Sequence, residues 1–245
     1  MAATLKKKPG RRAATDLPRQ TPAQKKRALK ILGALEERYL DAHCELDYAD
    51  PLQLLIATIL SAQATDVGVN KATPKLFAKF RTAADFAAAS PQEIEPYVAS
   101  IGLFRNKAKA IHAACTTIVE RFGGQAPRSM EELLTLRGVA RKTANVVLGN
   151  AFNINEGVVV DTHVSRVSHR LGLTKHTDPA KIERDLMALF PREKWCLLSH
   201  LLIFHGRRVC KARNALCGED AICREFCANA KAATGYQRRS PLRGY

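Results

Sequence analysis

Lys142 and Asp161 are the residues of this chain whose types and spacing suit catalysis. The lysine stands in Leu136-Arg137-Gly138-Val139-Ala140-Arg141-Lys142-Thr143-Ala144, and nineteen residues after it comes Val160-Asp161-Thr162-His163. A lysine amine is a nucleophile that forms Schiff bases. A carboxylate beside it accepts the amine's proton and steadies developing positive charge. The apolar turn on Gly138 leads into a helix predicted to start near Arg141. The backbone of Gly138, Ala140, Arg141 and Thr143 then forms an anion socket of the kind that holds a phosphate, with Lys142 in the first helical turn. Each residue also has a plainer reading. Asp161 suits a helix N-cap, because Asp-Thr-His-Val opens a helical pattern, and a cap fixes a carboxylate in place. Lys142 alone could be a solvated or phosphate-contacting side chain. His163 reads as structural.

The second group is Cys210, Cys217, Cys223 and Cys227, four of the seven cysteines, crowded into eighteen residues. In a chain without a secretory signal, such clustering argues for metal rather than disulfides. Four thiolates suit zinc or an iron–sulfur cluster. No paired Cys-x2-Cys knuckle is present, and gaps of six, five and three residues wrap one compact loop, which points to a 4Fe–4S cluster. Lys211 and Arg213 inside the loop are candidate phosphate contacts, although solvated surface charge accounts for them equally well. Cys44, Cys115 and Cys196 read as core packing.

These groups need a scaffold. With 245 residues, 46% of them hydrophobic, the chain can bury a core as one large domain or two small ones. Lys and Arg outnumber Asp and Glu by 39 to 23, for a formal charge of +16. Residues 1–20 hold six basic side chains and one acidic, so +11 remains on the rest. That surplus predicts a polyanionic partner, nucleic acid above all. No apolar run is long enough to span a membrane, and the N-terminus lacks the apolar stretch of a secretory signal. The expected location is cytoplasmic, on the nucleoid, with organelle import left open. Residues 1–21 and 233–245 read as flexible basic arms. Between them the punctuation is helical: Asp50-Pro51, Ser90-Pro91 with Glu93, Arg128-Ser129 and Thr177-Asp178-Pro179 all open helices, and Gly123-Gly124 ends one. Val158-Val159-Val160 is too short and unpartnered for a strand. The predicted fold is all-α, with about ten helices.

In this order, hairpin turn, lysine, aspartate and cysteine loop resemble the endonuclease III family of bifunctional DNA glycosylases and abasic-site lyases. Ser61-Ala62-Gln63-Ala64-Thr65-Asp66, Ile101-Gly102-Leu103, Arg141 to Val147, Val160 to His163 and His205-Gly206-Arg207 all look like family motifs, and the resemblance spans about residues 22–230. It implies a six-helix barrel domain over 44–155 that includes the helix-hairpin-helix. A 4Fe–4S cluster domain would be made from 22–43 and 156–232, with double-stranded DNA lying across the cleft between the two. It further implies Lys142 as nucleophile, Asp161 as its partner, Gln63 and Leu103 as the residues that fill the gap left by a flipped nucleotide, oxidised pyrimidines as substrates, and action as a monomer. On its own, Leu103 after Gly102 suits either a wedge or an anchor for its loop.

The chain departs from the family twice. Ala140 stands where a glycine is usual, which would cost on the order of 1 kcal/mol if that position were left-handed. The family's third cysteine ligand would fall at Asp220. Cys223 is the expected replacement, because thiolate suits iron better than carboxylate does. Two other readings compete. An adenine-mismatch glycosylase would carry a catalytic glutamate on the early helix, and residues 52–66 contain none. A non-catalytic helix-hairpin-helix module would use the same turn and basic arms.

Overall fold

Apolar positions and polar caps divide the chain into helices that pack as two separate cores. The computed structural model describes residues 17–227, which form twelve α-helices and a 3-10 turn with no strand among them. Residues 1–16 of the predicted N-terminal arm, all of the predicted C-terminal arm (233–245) and residues 228–232 of the expected cluster domain lie outside the described residues. No helix among those described is long and apolar enough to cross a membrane.

One core gathers α2 (Pro51–Ser61), α3 (Asp66–Lys79), α4 (Ala83–Ala88), α5 (Pro91–Val98), α6 (Phe104–Phe122), the single turn α7 (Met130–Leu133) and α8 (Arg141–Phe152). Helix α2 is its axis: all residues from Leu54 to Leu60 are buried, as a helix apolar on every side must be. The long α6 lays Ala108, Ile111, Ala114, Cys115 and Ile118 along one face against this core. The other core joins α1 (Pro22–Arg38) to α9 (Thr162–Arg170), α10 (Pro179–Leu189), α11 (Trp195–Arg208) and α12 (Ala221–Phe226). The first helix thus packs among the last ones, so both ends of the described chain belong to the same core.

Side-chain caps set most of the starts. Asp50, Thr65, Thr82, Ser129, Asp161, Asp178 and Asp220 each accept from a backbone N–H in the first turn of their helix. At Ser90 the partner is Glu93, whose carboxylate accepts from the Ser90 N–H at 2.8 Å. Val158 to Val160 form no strand; the Val159 N–H donates to Ser199 Oγ at 2.9 Å instead. Helices α6 and α8 lack any side-chain cap. Their free N-termini follow Leu103 and Ala140, and both face solvent.

The turn before α8 takes its shape from Gly138, at φ +84°. A Cβ there would lie 3.0 Å from the Ala110 Cβ on α6 and 3.6 Å from Ile59 Cγ2 on α2. Ala140 is extended at φ −100°, ψ 172°, an ordinary conformation for alanine. The feared left-handed cost therefore does not arise. Gly138→Ala combines left-handed strain with a tight contact, so it should lower stability by about 1–3 kcal/mol and depress the thermal unfolding midpoint. Ala140→Gly should leave that midpoint nearly unchanged.

Candidate active site and cysteine loop

A cleft of about 900 Å3 opens along the seam between the two cores. Lys142 reaches it from the first turn of α8, and Asp161 from the N-cap of α9. The two residues belong to elements of different cores, and the seam brings them to one place. Asp161 is also the cap foreseen as its plainer role, with Oδ1 accepting from the Val164 N–H at 2.7 Å. Its Oδ2 has no hydrogen-bond partner among the described residues. Lys142 is exposed, and its amine makes no hydrogen bond or ion pair with them.

The other cations lining the cleft are paired. Arg207 joins Glu45 through Nη1 and Asp66 through Nη2, the latter at 2.7 Å. Arg208 grips both carboxylate oxygens of Asp41, at 2.6 and 3.1 Å. Asp66 is a second acid beside Lys142 and Asp161: burial, and then the nearby Asp161 charge, push its carboxyl above the ordinary range. Asp66 and Arg207 were visible only inside motifs, with no signal of their pairing across 141 residues of sequence.

Gln63 lines the same cleft, exposed and at φ +55°. Leu103 is 57% exposed at φ +60° and lies outside the cleft lining. Non-glycine residues held left-handed cost about 1–2 kcal/mol each and concentrate where geometry serves function. Gly138, Ala140 and Thr143 surround the free N-terminus of α8, beside the cleft lining and not within it. Lys211 and Arg213 are exposed on the cysteine loop and do not reach the cleft. Arg141, expected to face phosphate, has its guanidinium on Glu183 instead, with Nε 2.9 Å from Oε2.

Deeper in the cleft, His200 Nε2 stands 2.7 Å from Asn150 Oδ1 and 3.7 Å from Cys196 Sγ. Burial pushes this imidazole down to about 4. Cys196 closes the seam: a Cβ on Gly149 of α8 would lie 2.7 Å from its Sγ. Cys115 is fully packed and Cys44 lines the cleft.

The four late cysteines are all buried, with exposures of 1% for Cys210, 9% for Cys217, 0% for Cys223 and 2% for Cys227. The Cys223 thiol lies beside the free thiols of Cys210 and Cys217. Cys210 is held down to about 6 by the Cys223 hydrogen bond and then by Arg170, whose Nη1 is 3.3 Å from its Sγ. Asp220 caps α12 by accepting from the Cys223 N–H at 2.9 Å. His205, fully buried, has Nδ1 2.8 Å from Tyr39 Oη and Nε2 3.4 Å from Cys223 Sγ. The ligand atoms of His205, Asp220 and Cys223 lie within 4.8 Å of one another. Four buried thiols with arginines beside them fit a group that takes thiolate ligands, because metal-bound sulfur carries negative charge that buried cations offset.

The chain matches the family model of HhH-GPD superfamily base excision DNA repair proteins over residues 56–192. It is 55% identical over 219 residues to endonuclease III of Synechocystis sp. (strain ATCC 27184 / PCC 6803 / Kazusa), covering 89% of this chain and all of that protein. It is 43% identical to endonuclease III of Bacillus subtilis (strain 168), covering 79% and 90%. The fold superposes with a TM-score of 0.81 on a trapped endonuclease III–DNA covalent intermediate in an estranged-adenine complex. That pair is 42% identical, with 86% of this chain and 98% of the other covered.

His200 supplies a pH test of the seam. Its folded value lies below the ordinary 6.5, so the unfolded chain binds the proton more readily. Stability should therefore fall as pH drops from 6.5 toward about 4, and the wild-type protein should lose more of its unfolding free energy across that window than His200→Gln does in parallel denaturant titrations.

Proposed function

This chain belongs to the endonuclease III family of the HhH-GPD superfamily of base excision DNA repair proteins, and from that premise we propose that it is a bifunctional DNA glycosylase and abasic-site lyase acting on oxidised pyrimidines in double-stranded DNA. The observation that carries this reading is the unpaired amine of Lys142 sharing a cleft with a carboxylate that has one free oxygen.

A base inside a duplex cannot be reached, so the damaged nucleotide is turned out at a cost of roughly a few kcal/mol. Gln63 and Leu103 fill the space it leaves. Their exposure and fixed left-handed backbone support that role, because a wedge that is already placed loses little entropy on insertion. Gly138, Ala140, Arg141 and Thr143 offer the uncapped start of α8 to a backbone phosphate, through N–H groups and the helix dipole. Lys211 and Arg213 add phosphate contacts from the cysteine loop.

Lys142 attacks C1′ of the deoxyribose, and the bond from C1′ to the base breaks with its electrons leaving on the base. Asp161 steadies the positive charge that grows on the sugar and takes the amine's proton. Ring opening gives a Schiff base between Lys142 and C1′. Loss of a proton from C2′ then expels the 3′ phosphate by β-elimination. Both groups come from one chain, which supports action as a monomer. Cytoplasmic work on the nucleoid suits such a substrate.

For the cysteine loop we infer a 4Fe–4S cluster held by Cys210, Cys217, Cys223 and Cys227. When bound, it would supply a covalent clasp for the loop, so that metal affinity becomes folding energy. The alternative third ligand is Asp220, whose Oδ1 already caps α12.

An adenine-mismatch glycosylase would need an acid on α2, which has none. Two measurements separate the readings. Borohydride should fix the wild-type protein covalently to abasic DNA, Lys142→Ala should abolish that product, and Asp161→Asn should slow base release by on the order of 100-fold or more while leaving DNA affinity nearly intact. Persistent trapping by Lys142→Ala would end the nucleophile assignment. For the cofactor, Cys223→Ser should strip the brown visible absorbance from the purified protein, and Asp220→Asn should keep it.

A further inference from the structure

Among the described residues Glu183 is the most heavily engaged buried acid, and the chemistry above gives it no task. It stands on α10 at 7% exposure. Its Oε1 accepts from Asn145 Nδ2 at 2.9 Å and from Arg141 Nε at 3.1 Å, and its Oε2 accepts from Arg141 Nε at 2.9 Å. The same guanidinium donates through Nη2 to the Glu156 carbonyl at 3.1 Å. Gly157 presses on the group: a Cβ there would overlap the Glu183 carboxylate, 2.6 Å from Asn145 Nδ2 and 3.1 Å from Arg141 Nη2.

Three segments meet at this one carboxylate. Arg141 and Asn145 lie one helical turn apart on α8, so a single acceptor that holds both fixes the rotation of the helix about its axis as well as its position. Lys142 follows Arg141 directly and inherits that rotation. The backbone at 156–157 is the start of the short extended run that ends at Asp161, and it is held from the same point. An apolar cluster would seal the seam as well, and an ion pair that buries its acid and leaves its arginine half exposed adds little net stability. What the charged arrangement adds is direction, since a planar guanidinium and a carboxylate meet in few geometries.

We propose that Glu183 is a positioning residue for the lyase reaction, which sets Lys142 against Asp161 by gripping the elements that carry each. The proposal rests on the assignment of Lys142 as nucleophile. Its test is the single-turnover rate of borohydride trapping on abasic duplex, set against the Kd for a duplex carrying an uncleavable tetrahydrofuran abasic analogue. Glu183→Gln keeps volume and polarity and removes one acceptor. Its trapping rate should fall on the order of 10- to 100-fold, as misplacement of a reacting group by a fraction of an ångström to an ångström does, with Kd within about twofold of wild type. The paired change Arg141→Met with Glu183→Met refills the seam with apolar side chains. It should restore the thermal unfolding midpoint without restoring the trapping rate. Wild-type trapping in Glu183→Gln, wild-type trapping in the double methionine variant, or a loss of trapping matched by an equal loss of binding would each overturn the proposal. Failure of the nucleophile assignment is recognised separately, because Lys142→Ala would then trap with Glu183 intact.

Discussion

The active cleft depends on a seam between two hydrophobic cores. Lys142 rides on a helix whose buried Ala144, Val147 and Leu148 join the core of Leu54 and Ile111, whereas Asp161 caps a helix whose apolar face packs with Ile31, Leu186 and Leu201. Neither core alone contains both groups. Dispersion and burial stabilise each half about its own centre, but they are non-directional and leave the relative placement of the halves soft to small slips. Directional contacts must supply the rest. Along this seam they include the Arg141–Glu183–Asn145 group and the link from His200 to Asn150, with the close packing of Cys196 on Gly149 beside them. All three grip α8. The helix that carries the amine is thus tied to the opposite core at three points along its length.

Charge is distributed in the cleft against the overall trend of the chain. A molecule of formal charge +16 draws polyanions to its whole surface, and the free start of α8 adds a local positive field. Inside the cleft, however, Glu45 and Asp66 take up Arg207, and Asp41 takes up Arg208. Lys142 remains as the one lysine or arginine of the cleft lining without an acidic partner among the described residues. An ion pair would hold the amine's proton and occupy its approach. Neutralising the neighbouring arginines with their own acids leaves that side chain free, and it also keeps them from competing for the phosphates that should seat against the hairpin.

Local features were legible in the sequence. The caps at Asp50, Ser90 and Asp178, the turn on Gly138 and the onset of α8 near Arg141 are governed by residues within one turn of each other, so their signals survive without tertiary context. The all-α class followed from the same punctuation and from the absence of alternating apolar runs. Long-range pairings were not legible. Arg141 beside Lys142 looks like a second phosphate contact, and only the fold reveals an acid 42 residues away that takes its guanidinium. Asp66 reads as a polar residue at a helix start until Arg207 arrives from α11. The worry over Ala140 failed for a related reason: sequence shows which residue differs from a familiar pattern, whereas the need for glycine belongs to the φ of that position, and the left-handed angle falls on Gly138.

In the cysteine loop, the proposed third ligand departs from the family spacing by three residues. Positions 220 and 223 are three residues apart, and α12 runs from Ala221 to Phe226. Asp220 is the N-cap of that helix and Cys223 its third residue, so placing the proposed ligand at 223 moves it across the first turn. The move also leaves position 220 for another task. Aspartate is among the best N-caps, and here it binds the N–H of Cys223 itself at 2.9 Å, fixing the backbone beneath that thiol. His205 approaches the same sulfur from α11 with its far nitrogen on Tyr39, whose hydroxyl burial holds protonated, up to about 12. In the tautomer in which the tyrosine donates to Nδ1, the imidazole presents Nε2–H to Cys223, the polarity a thiolate ligand requires. These contacts with Cys223 support the proposal of sulfur at 223.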